Sequence, residues 1–99
     1  MIFPKKRPIP IGEFIREDIL KEFNLSQSEF AKTLKVSRKT INDLVNNKRS
    51  LSVDMALRLG KFTQTSPQLW LGLQQDLDLW DALHSEKAKE IKKILSYVA

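Results

Sequence analysis

Cysteine is absent from this 99-residue chain, and histidine occurs only once, at His84. Without cysteine the chain can form neither disulfides nor thiolate metal sites, and a single histidine excludes a histidine metal cluster. We therefore predict no metal and no cofactor. No apolar run approaches the roughly 18 residues that a membrane-spanning helix needs, and the N-terminal segment lacks the continuous apolar stretch of a signal peptide. These absences predict a cytoplasmic protein.

The signatures of enzymes are missing as well. The sequence contains no glycine-rich phosphate loop and no nucleophile elbow, and its acidic residues are scattered over the surfaces of predicted helices. His84 has no serine nucleophile motif beside it. We predict that the chain is not an enzyme and has no catalytic residue. A length of 99 residues predicts a single domain with a small core, to which dimerisation would add buried surface.

Positive charge is concentrated in the middle of the chain. The net charge is +5, but residues 32–61 hold eight Lys or Arg against two Asp, a balance of +6. Residues 64–86 hold four acidic residues and neither Lys nor Arg, a balance of −4. A localised basic region is typical of proteins that bind nucleic acid, because it neutralises phosphates. Charge alone is weak support, since solvated basic faces are common.

Residues 27–46 have the pattern of a helix-turn-helix. Ser26 and Glu29 form the S-x-x-E spacing of a capping box, which predicts a helix that starts at Gln27 and runs to about Leu34. Ser37 is a second N-cap candidate, and apolar residues at helical spacing follow it. Only two residues separate the predicted helices, so they must turn sharply and pack together. The chain is therefore predicted to be all-α.

The second helix of this motif begins with polar and basic residues. Because Ile41, Leu44 and Val45 form its apolar face, these polar side chains must face outward, where a recognition helix meets base edges in the major groove. Side chains at the helix ends and in the following loop are placed to contact phosphate. The alternative is an ordinary helical hairpin with a solvated basic face. The predicted DNA-binding residues are Gln27, Ser37, Arg38, Lys39, Thr40, Asn42, Asp43, Asn46, Lys48 and Arg49.

The remaining sequence divides into an arm and further helices. Residues 1–11 hold three of the four prolines and a basic run, which predicts an extended arm that is either loosely ordered or lies along DNA or a partner. Residues 12–83 form the predicted DNA-binding domain, with a first helix over 12–23, a fourth capped by Ser52 and a fifth over 67–83. Residues 84–99 are predicted as a C-terminal helix capped by Ser85, which either packs on its own domain or binds a partner.

The fifth helix is apolar on more than one face. Such a helix needs more than one burial partner, and in a small chain the second partner is plausibly another subunit. The predicted dimer interface consists of Trp70, Leu71, Leu79, Trp80 and Leu83. A helix-turn-helix dimer reads two half-sites about 34 Å apart, so the expected target is palindromic double-stranded DNA.

Residues 27–46 resemble the helix-turn-helix of the Xre and lambda-repressor-like family. Lys35 stands in the turn where that family usually has glycine in the left-handed conformation, and a non-glycine residue costs on the order of 1 kcal/mol there. The matching positions are Gln27, Ala31, Val36, Ile41, Leu44 and Asn46.

The flanking segments resemble a narrower family, the HigA-type antitoxins or virulence-associated protein I-like regulators. Residues 9–20, I-P-I-G-E-F-I-R-E-D-I-L, are similar to the family's P-G-E-x-L-x-E-x-x-L opening, with Ile11 in place of proline. Residues 52–80 are similar to its S-x-x-M-A-L-R-L and T-S-x-x-F-W-L-x-L-Q-x-x-Y-D-L segments, with Leu69 in place of Phe and Leu77 in place of Tyr.

This resemblance implies a five-helix DNA-binding domain, here followed by a C-terminal helix, that dimerises through its C-terminal helices. Family members typically repress their own operon together with a ribosome-dependent mRNA-cleaving toxin that they neutralise, although some have no known toxin. The hypothesis is a homodimeric, sequence-specific repressor that is the antitoxin of a toxin–antitoxin pair. The alternatives are a stand-alone Xre-type regulator and a protein whose main role is partner binding.

Overall fold

The computed structural model describes residues 5–97, and within that range all regular secondary structure is helical. The first helix, α1, comprises Ile11–Phe14 in α geometry and continues as a π-helical segment, Ile15–Lys21. The other helices are α2 (Gln27–Leu34), α3 (Arg38–Val45), α4 (Val53–Thr63), α5 (Pro67–Leu83) and α6 (Lys87–Ile91). The predicted all-α class with a helix-turn-helix over 27–46 is confirmed.

Serine is the N-cap residue of four of these helices. The hydroxyl oxygens of Ser26, Ser37, Ser52 and Ser66 each accept a hydrogen bond from the backbone N–H three residues ahead, at 3.0–3.2 Å. The Glu29 carboxylate accepts a hydrogen bond from the backbone N–H of Ser26 at 3.0 Å, which completes the predicted capping box. Because each cap satisfies an otherwise orphan donor, the starting residues of these helices could be read from the sequence.

The first helix differs in detail from its prediction over 12–23. It ends after Lys21, and Asn24 turns the chain with a φ of 52°. Ile15 and Ile19 form the buried stripe of this helix, but Phe23, which lies four residues further on, is 57% exposed. The π-helical turn adds a residue to each hydrogen-bonded ring and so rotates the end of the helix relative to α spacing. This rotation carries Phe23 away from the buried stripe.

The core lies between α1, α2, α3 and α4, and α5 closes one side. Phe30, Ile41, Leu44 and Leu59 are at most 1% exposed. Phe62 packs its ring edge-on against Phe30, with centroids 5.4 Å apart. Ala31 of α2 is 3% exposed, and its small side chain leaves room for α3 to pack closely.

The C-terminal helix is much shorter than predicted. Helix α6 spans only Lys87–Ile91, and the chain from 92 to 97 is non-helical; the predicted residues 98–99 lie outside the described range. Ser85 does not cap it, because its hydroxyl donates to the carbonyl of Ala82 at 2.6 Å. Ile94 and Leu95 are 72% and 91% exposed. A short helix is stable only when one of its faces packs against other residues, and the apolar side chains of Ile94 and Leu95 pack against nothing in the described chain.

The described residues form an elongated molecule. Their principal extents are 53 × 25 × 23 Å, and the radius of gyration is 16.4 Å. A compact domain of this length has a radius of gyration of about 13 Å. The outer half of α5 and all of α6 carry mostly exposed residues, so this end contributes little to the core.

Candidate DNA-binding surface

The turn between α2 and α3 fixes the angle of the recognition helix. Lys35 occupies the left-handed region, with φ 59° and ψ 45°, at the position where the sequence analysis predicted it. The N–H of Val36 donates to the carbonyl of Ala31 at 2.9 Å, which closes the end of α2. Left-handed residues followed by such a contact are common at helix C-termini. The turn therefore has the geometry that a glycine usually provides, although lysine fills it.

Helix α3 has one buried face and one exposed face. Ile41, Leu44 and Val45 are at most 2% exposed, whereas Arg38 and Lys39 are exposed. Arg38, Lys39 and Asn42 line a shallow surface depression. This arrangement presents the first turn of the helix outward, which is where a recognition helix contacts base edges.

Ser37 and Thr40 serve the start of α3. The Ser37 hydroxyl accepts from the Thr40 N–H at 3.0 Å, and the two hydroxyl oxygens lie 2.8 Å apart. Both side chains are thus hydrogen-bonded locally. A hydroxyl can accept from two donors, so these groups retain capacity for a further contact at the surface.

Gln27 and Asn42 are joined across the two helices. The Asn42 side-chain amide donates to the Gln27 Oε1 at 3.1 Å, and this contact is partly buried. Asn46 donates from its own amide to the Asn42 carbonyl at 2.9 Å. Gln27 and Asn42 were both predicted to contact DNA, without any contact between them. The structure brings them together, so each amide holds the other in one orientation.

Charge on this surface is only partly compensated. Lys39 donates to Asp43 at 2.7 Å and holds the pKa of that carboxyl below its usual range, and the charges of Arg49 and Lys48 act in the same direction. Asp43 therefore stays ionised and balances one cation. Arg38, Lys48 and Arg49 remain as positive charges on an exposed surface. The net field of this region favours an anionic partner.

The loop after α3 is held at both ends. Asn47 has a φ of 58°, and its Oδ1 accepts from the Gly12 N–H at 3.1 Å. At the other end, the Leu51 N–H donates to the Oε1 of Gln74 in α5 at 3.0 Å. Lys48 and Arg49 lie between these two anchors and are exposed. The loop therefore presents its two cations from a fixed backbone.

The sequence did not predict that Gly12, Asn47 and Gln74 support this loop; Asn47 was expected to contact phosphate instead. A Cβ at Gly12 would lie 2.4 Å from the Val45 carbonyl oxygen and 2.7 Å from that of Leu44. Glycine is therefore required where α1 meets the end of α3. In the sequence, Gly12 matches the glycine of the family's P-G-E opening, but that match does not indicate which residues the glycine contacts.

The side chain of Arg58 is engaged in contacts within the chain. Its guanidinium donates to the Leu34 carbonyl at 2.8 Å and to Asp54 at 2.8 Å. These contacts tie α4 to the end of α2 and occupy the side chain. A contact between Arg58 and a DNA phosphate would require both bonds to break, so Arg58 is not a candidate for DNA binding.

The predicted dimer residues fall into two groups. Trp70 is only 7% exposed, and its indole N–H donates to the Thr65 hydroxyl at 2.9 Å. It belongs to the core of its own chain, which leaves little of its side chain for contact with another subunit. The other four residues, Leu71, Leu79, Trp80 and Leu83, retain exposed surface along α5.

His84 lies on the surface at the end of α5. Its ring stacks on Trp80 with centroids 4.1 Å apart, and its Nδ1 lies 2.8 Å from the Trp80 carbonyl oxygen. Over residues 5–97 there is no cluster of three or more His, Cys, Asp or Glu side chains that could hold a metal ion. In the same part of the chain, no helix combines the length and apolarity needed to cross a bilayer.

Comparison with known proteins agrees with this geometry. A helix-turn-helix family model matches residues 17–70. An HTH-type transcriptional regulator of Haemophilus influenzae is 35% identical over 85 residues, which cover 86% of this chain and 79% of that protein. The structure of Pseudomonas aeruginosa antitoxin HigA with the higBA promoter is similar with a TM-score of 0.84 and 39% identity, covering 93% of this chain and 100% of that one.

A second solved structure, the antitoxin GraA in complex with its operator, covers 100% of both chains with a TM-score of 0.86 and 34% identity. Both of these structures contain proteins that are named antitoxins and that are bound to DNA. The family match covers more than half of the sequence and includes the whole motif described above. The chain belongs to the helix-turn-helix family, in the branch that includes the HigA-type antitoxins.

Proposed function

We propose that this protein is a homodimeric, sequence-specific DNA-binding repressor of the HigA antitoxin type. One observation carries the proposal: the first turn of α3 presents Arg38 and Lys39 outward beside the Gln27–Asn42 pair. Arginine and lysine donate well to guanine, and an amide can pair with adenine. The full-length similarity to GraA bound to its operator supports the same role. The proposed activity is binding rather than catalysis.

The proposed contacts divide into base readout and phosphate anchoring. Base readout is assigned to the start of α3, because Arg38 and Lys39 are exposed there and the N-terminal residues of a recognition helix contact base edges. Phosphate anchoring is assigned to the helix ends and to the loop, where donors are fixed by the backbone. The residues for base readout are Ser37, Arg38, Lys39, Thr40, Asn42 and Asp43. Those for phosphate are Gln27, Asn46, Lys48 and Arg49.

The dimer is proposed to form along α5. Leu79 and Leu83 are 38% and 47% exposed, and Leu71 and Trp80 are half-buried. This strip is apolar, and the described chain leaves it uncovered in part. A symmetric contact between two copies would bury it and place two recognition helices on one duplex. Such a protein acts where operator DNA is, which in a bacterium is the cytoplasm.

Selection of bound duplexes from a random pool, at near-physiological salt, tests the proposal directly. We expect enrichment of an inverted repeat with half-sites about one helical turn apart. Arg38→Ala should weaken binding to the selected site by about 1–3 kcal/mol and relax its sequence at one position, because a bidentate base contact is lost. Lys48→Ala should weaken all duplexes similarly and lower the salt slope by about one.

The two variants serve as controls for each other, since each removes one positive charge. An unchanged sequence preference in Arg38→Ala would remove that residue from base readout. Enrichment of no sequence by the unmodified protein, with salt-sensitive binding to every duplex, would contradict sequence-specific repression.

Toxin pairing is a separate part of the proposal. The similarity to proteins named antitoxins supports it. We expect co-expression of this chain to restore growth to cells that produce an mRNA-cleaving toxin encoded in the same operon. Selected operator binding without any such rescue would indicate the alternative, a stand-alone Xre-type regulator.

A second candidate function, partner binding as the main role, is favoured by a different surface. Phe23 and Leu57 are 57% and 55% exposed, and the ring of Phe62 in α4 packs edge-on against that of Phe23, with centroids 5.7 Å apart. Replacing Leu57 with serine should impair toxin rescue and leave operator binding intact if this surface holds the partner. Loss of operator binding alone would assign the surface to the DNA complex.

A further inference from the structure

The N-terminal arm is fixed to the body of the protein at Arg7. Its guanidinium donates two hydrogen bonds to the carboxylate of Asp81 in α5, at 2.8 and 3.0 Å. Paired bonds of this kind fix direction as well as distance. Both side chains are about half exposed, so the contact is worth little in stability, but it decides where the arm lies. The predicted residues 1–4 of the arm lie outside the described range.

The arm reaches α1 in an extended conformation. Pro10 has φ −62° and ψ 148°, and it immediately precedes the helix. Two residues further on, the Gly12 N–H binds the Asn47 side chain. The arm is thus held at Arg7 by α5 and at its base by the loop that follows α3. Proline at 8 and 10 limits the bending of the chain between these points.

This path brings the arm beside the basic loop. Arg7 and Pro10 line a polar surface cavity of about 240 Å³ together with Lys48 and Arg49 of the loop. Lys5 and Lys6 directly precede Arg7 and are exposed. Their Cα atoms lie within about 7 Å of that of Arg7, because the chain extends at most about 3.6 Å per residue.

Charge neutralisation gives Arg7 a second effect. Asp78 and Asp81 line the same cavity and would repel a phosphate near Lys48. The hydrogen bond from Arg7 is the main cause that lowers the pKa of Asp81, and the attraction between their charges acts in the same direction. Asp81 therefore stays ionised, but Arg7 compensates its charge. With Arg7 in place, the surface from the arm to the loop is predominantly positive.

We propose that the arm is a second DNA-contacting element, in which Lys5 and Lys6 bind backbone phosphates adjacent to those bound by Lys48 and Arg49, and Arg7 positions them. The inference rests on the proposed DNA-binding function and extends it beyond the helix-turn-helix. The occupant is the phosphate backbone, since the exposed cations of this surface, which are Lys5, Lys6, Lys48 and Arg49, outnumber its two carboxylates, one of which Arg7 compensates.

The test compares the full chain with Lys5→Gln/Lys6→Gln, by fluorescence anisotropy on the selected duplex and on a scrambled one, over a series of salt concentrations. The matched control is Lys92→Gln/Lys93→Gln, which removes the same charge from the exposed C-terminal segment. We expect the arm variant to weaken both duplexes by the same factor, on the order of tenfold, and to lower the salt slope by about 1.8, at about 0.9 per phosphate contact. The control should retain the slope of the unmodified protein.

An unchanged slope in the arm variant, or an equal fall in both double variants, would overturn the proposal, because the effect would then be absent or due to net charge. If the unmodified protein fails to prefer the selected duplex, sequence-specific repression is wrong, yet the slope on scrambled DNA still decides the role of the arm. Failure of the unmodified protein to bind either duplex would overturn both.

A separate measurement tests whether Arg7 positions the arm. Arg7→Gln should weaken binding more than Lys5→Gln, because it releases the arm and exposes the charge of Asp81. Adding Asp81→Asn to Arg7→Gln should recover part of this loss. Equal effects of Arg7→Gln and Lys5→Gln, with no recovery, would remove the positioning role.

Discussion

Replacing Gly12 with alanine should disturb the end of the recognition helix. The added Cβ would lie 2.4 Å from the Val45 carbonyl oxygen, 2.6 Å from the Asn47 Oδ1 and 2.7 Å from the Leu44 carbonyl oxygen. The Asn47 side chain can move, but the two carbonyls belong to the backbone of α3. Either α1 must shift away or the end of α3 must deform.

The cost follows from this geometry. Overpacking typically destabilises a protein by 1–3 kcal/mol, and two contacts with rigid carbonyls argue for the upper end, about 3 kcal/mol. For a domain of this size, 1 kcal/mol shifts the melting temperature by roughly 4–8 °C. We therefore expect Gly12→Ala to melt about 12–24 °C below the unmodified protein. That loss is a large fraction of a total stability of about 5–15 kcal/mol.

Gly72→Ala is the matched control for Gly12→Ala. At Gly72, in the interior of α5, a Cβ would meet none of the described atoms within 4 Å. Alanine is favoured over glycine in a helix by about 0.8–1 kcal/mol, so this variant should melt higher. Thermal unfolding followed by circular dichroism at several protein concentrations separates the fold from any dimer contribution. A Gly12→Ala melting temperature within a few degrees of the unmodified value would refute the steric argument.

Two further predictions concern single contacts. Lys35→Gly should raise the free energy of unfolding by about 0.5–1 kcal/mol, because glycine adopts φ 59° without the steric cost that lysine bears there; a lower denaturation midpoint would contradict this. Arg7 lowers the pKa of Asp81 from its ordinary value of 3.8, so the ion pair contributes above that pH and is lost as the pH falls through the lowered pKa. In an NMR titration, Arg7→Gln should move the Asp81 pKa back up, and identical titrations in both proteins would show that the pair does not persist in solution.

Local signals allowed most of the helix boundaries to be predicted. Ser26, Ser37 and Ser52 were identified as caps, and Pro67 as the first residue of α5, because capping depends on residues only a few positions apart. The left-handed turn at Lys35 was predicted from its resemblance to a family position. In contrast, the predicted length of α6 was too great, because apolar residues at helical spacing do not stabilise a helix unless they pack against another surface.

Contacts between distant residues could not be predicted. The pairs Gln27–Asn42 and Arg7–Asp81 join residues 15 and 74 positions apart, and no local pattern indicates them. The burial of Trp70 likewise depends on how α4 and α5 pack. The sequence identified which side chains of the motif face outward, whereas their mutual hydrogen bonds and the anchors of the loop depend on the assembled fold.

The two kinds of information in an operator would be encoded in separate parts of this chain. The exposed turn of α3 would determine the bases of each half-site, and the exposed strip along α5 would determine the distance and angle between two copies. Substitutions in the strip could then change the spacing of a target without changing its half-sites. Related proteins could acquire new operators by altering either part alone, because the core between α1 and α4 keeps both in place.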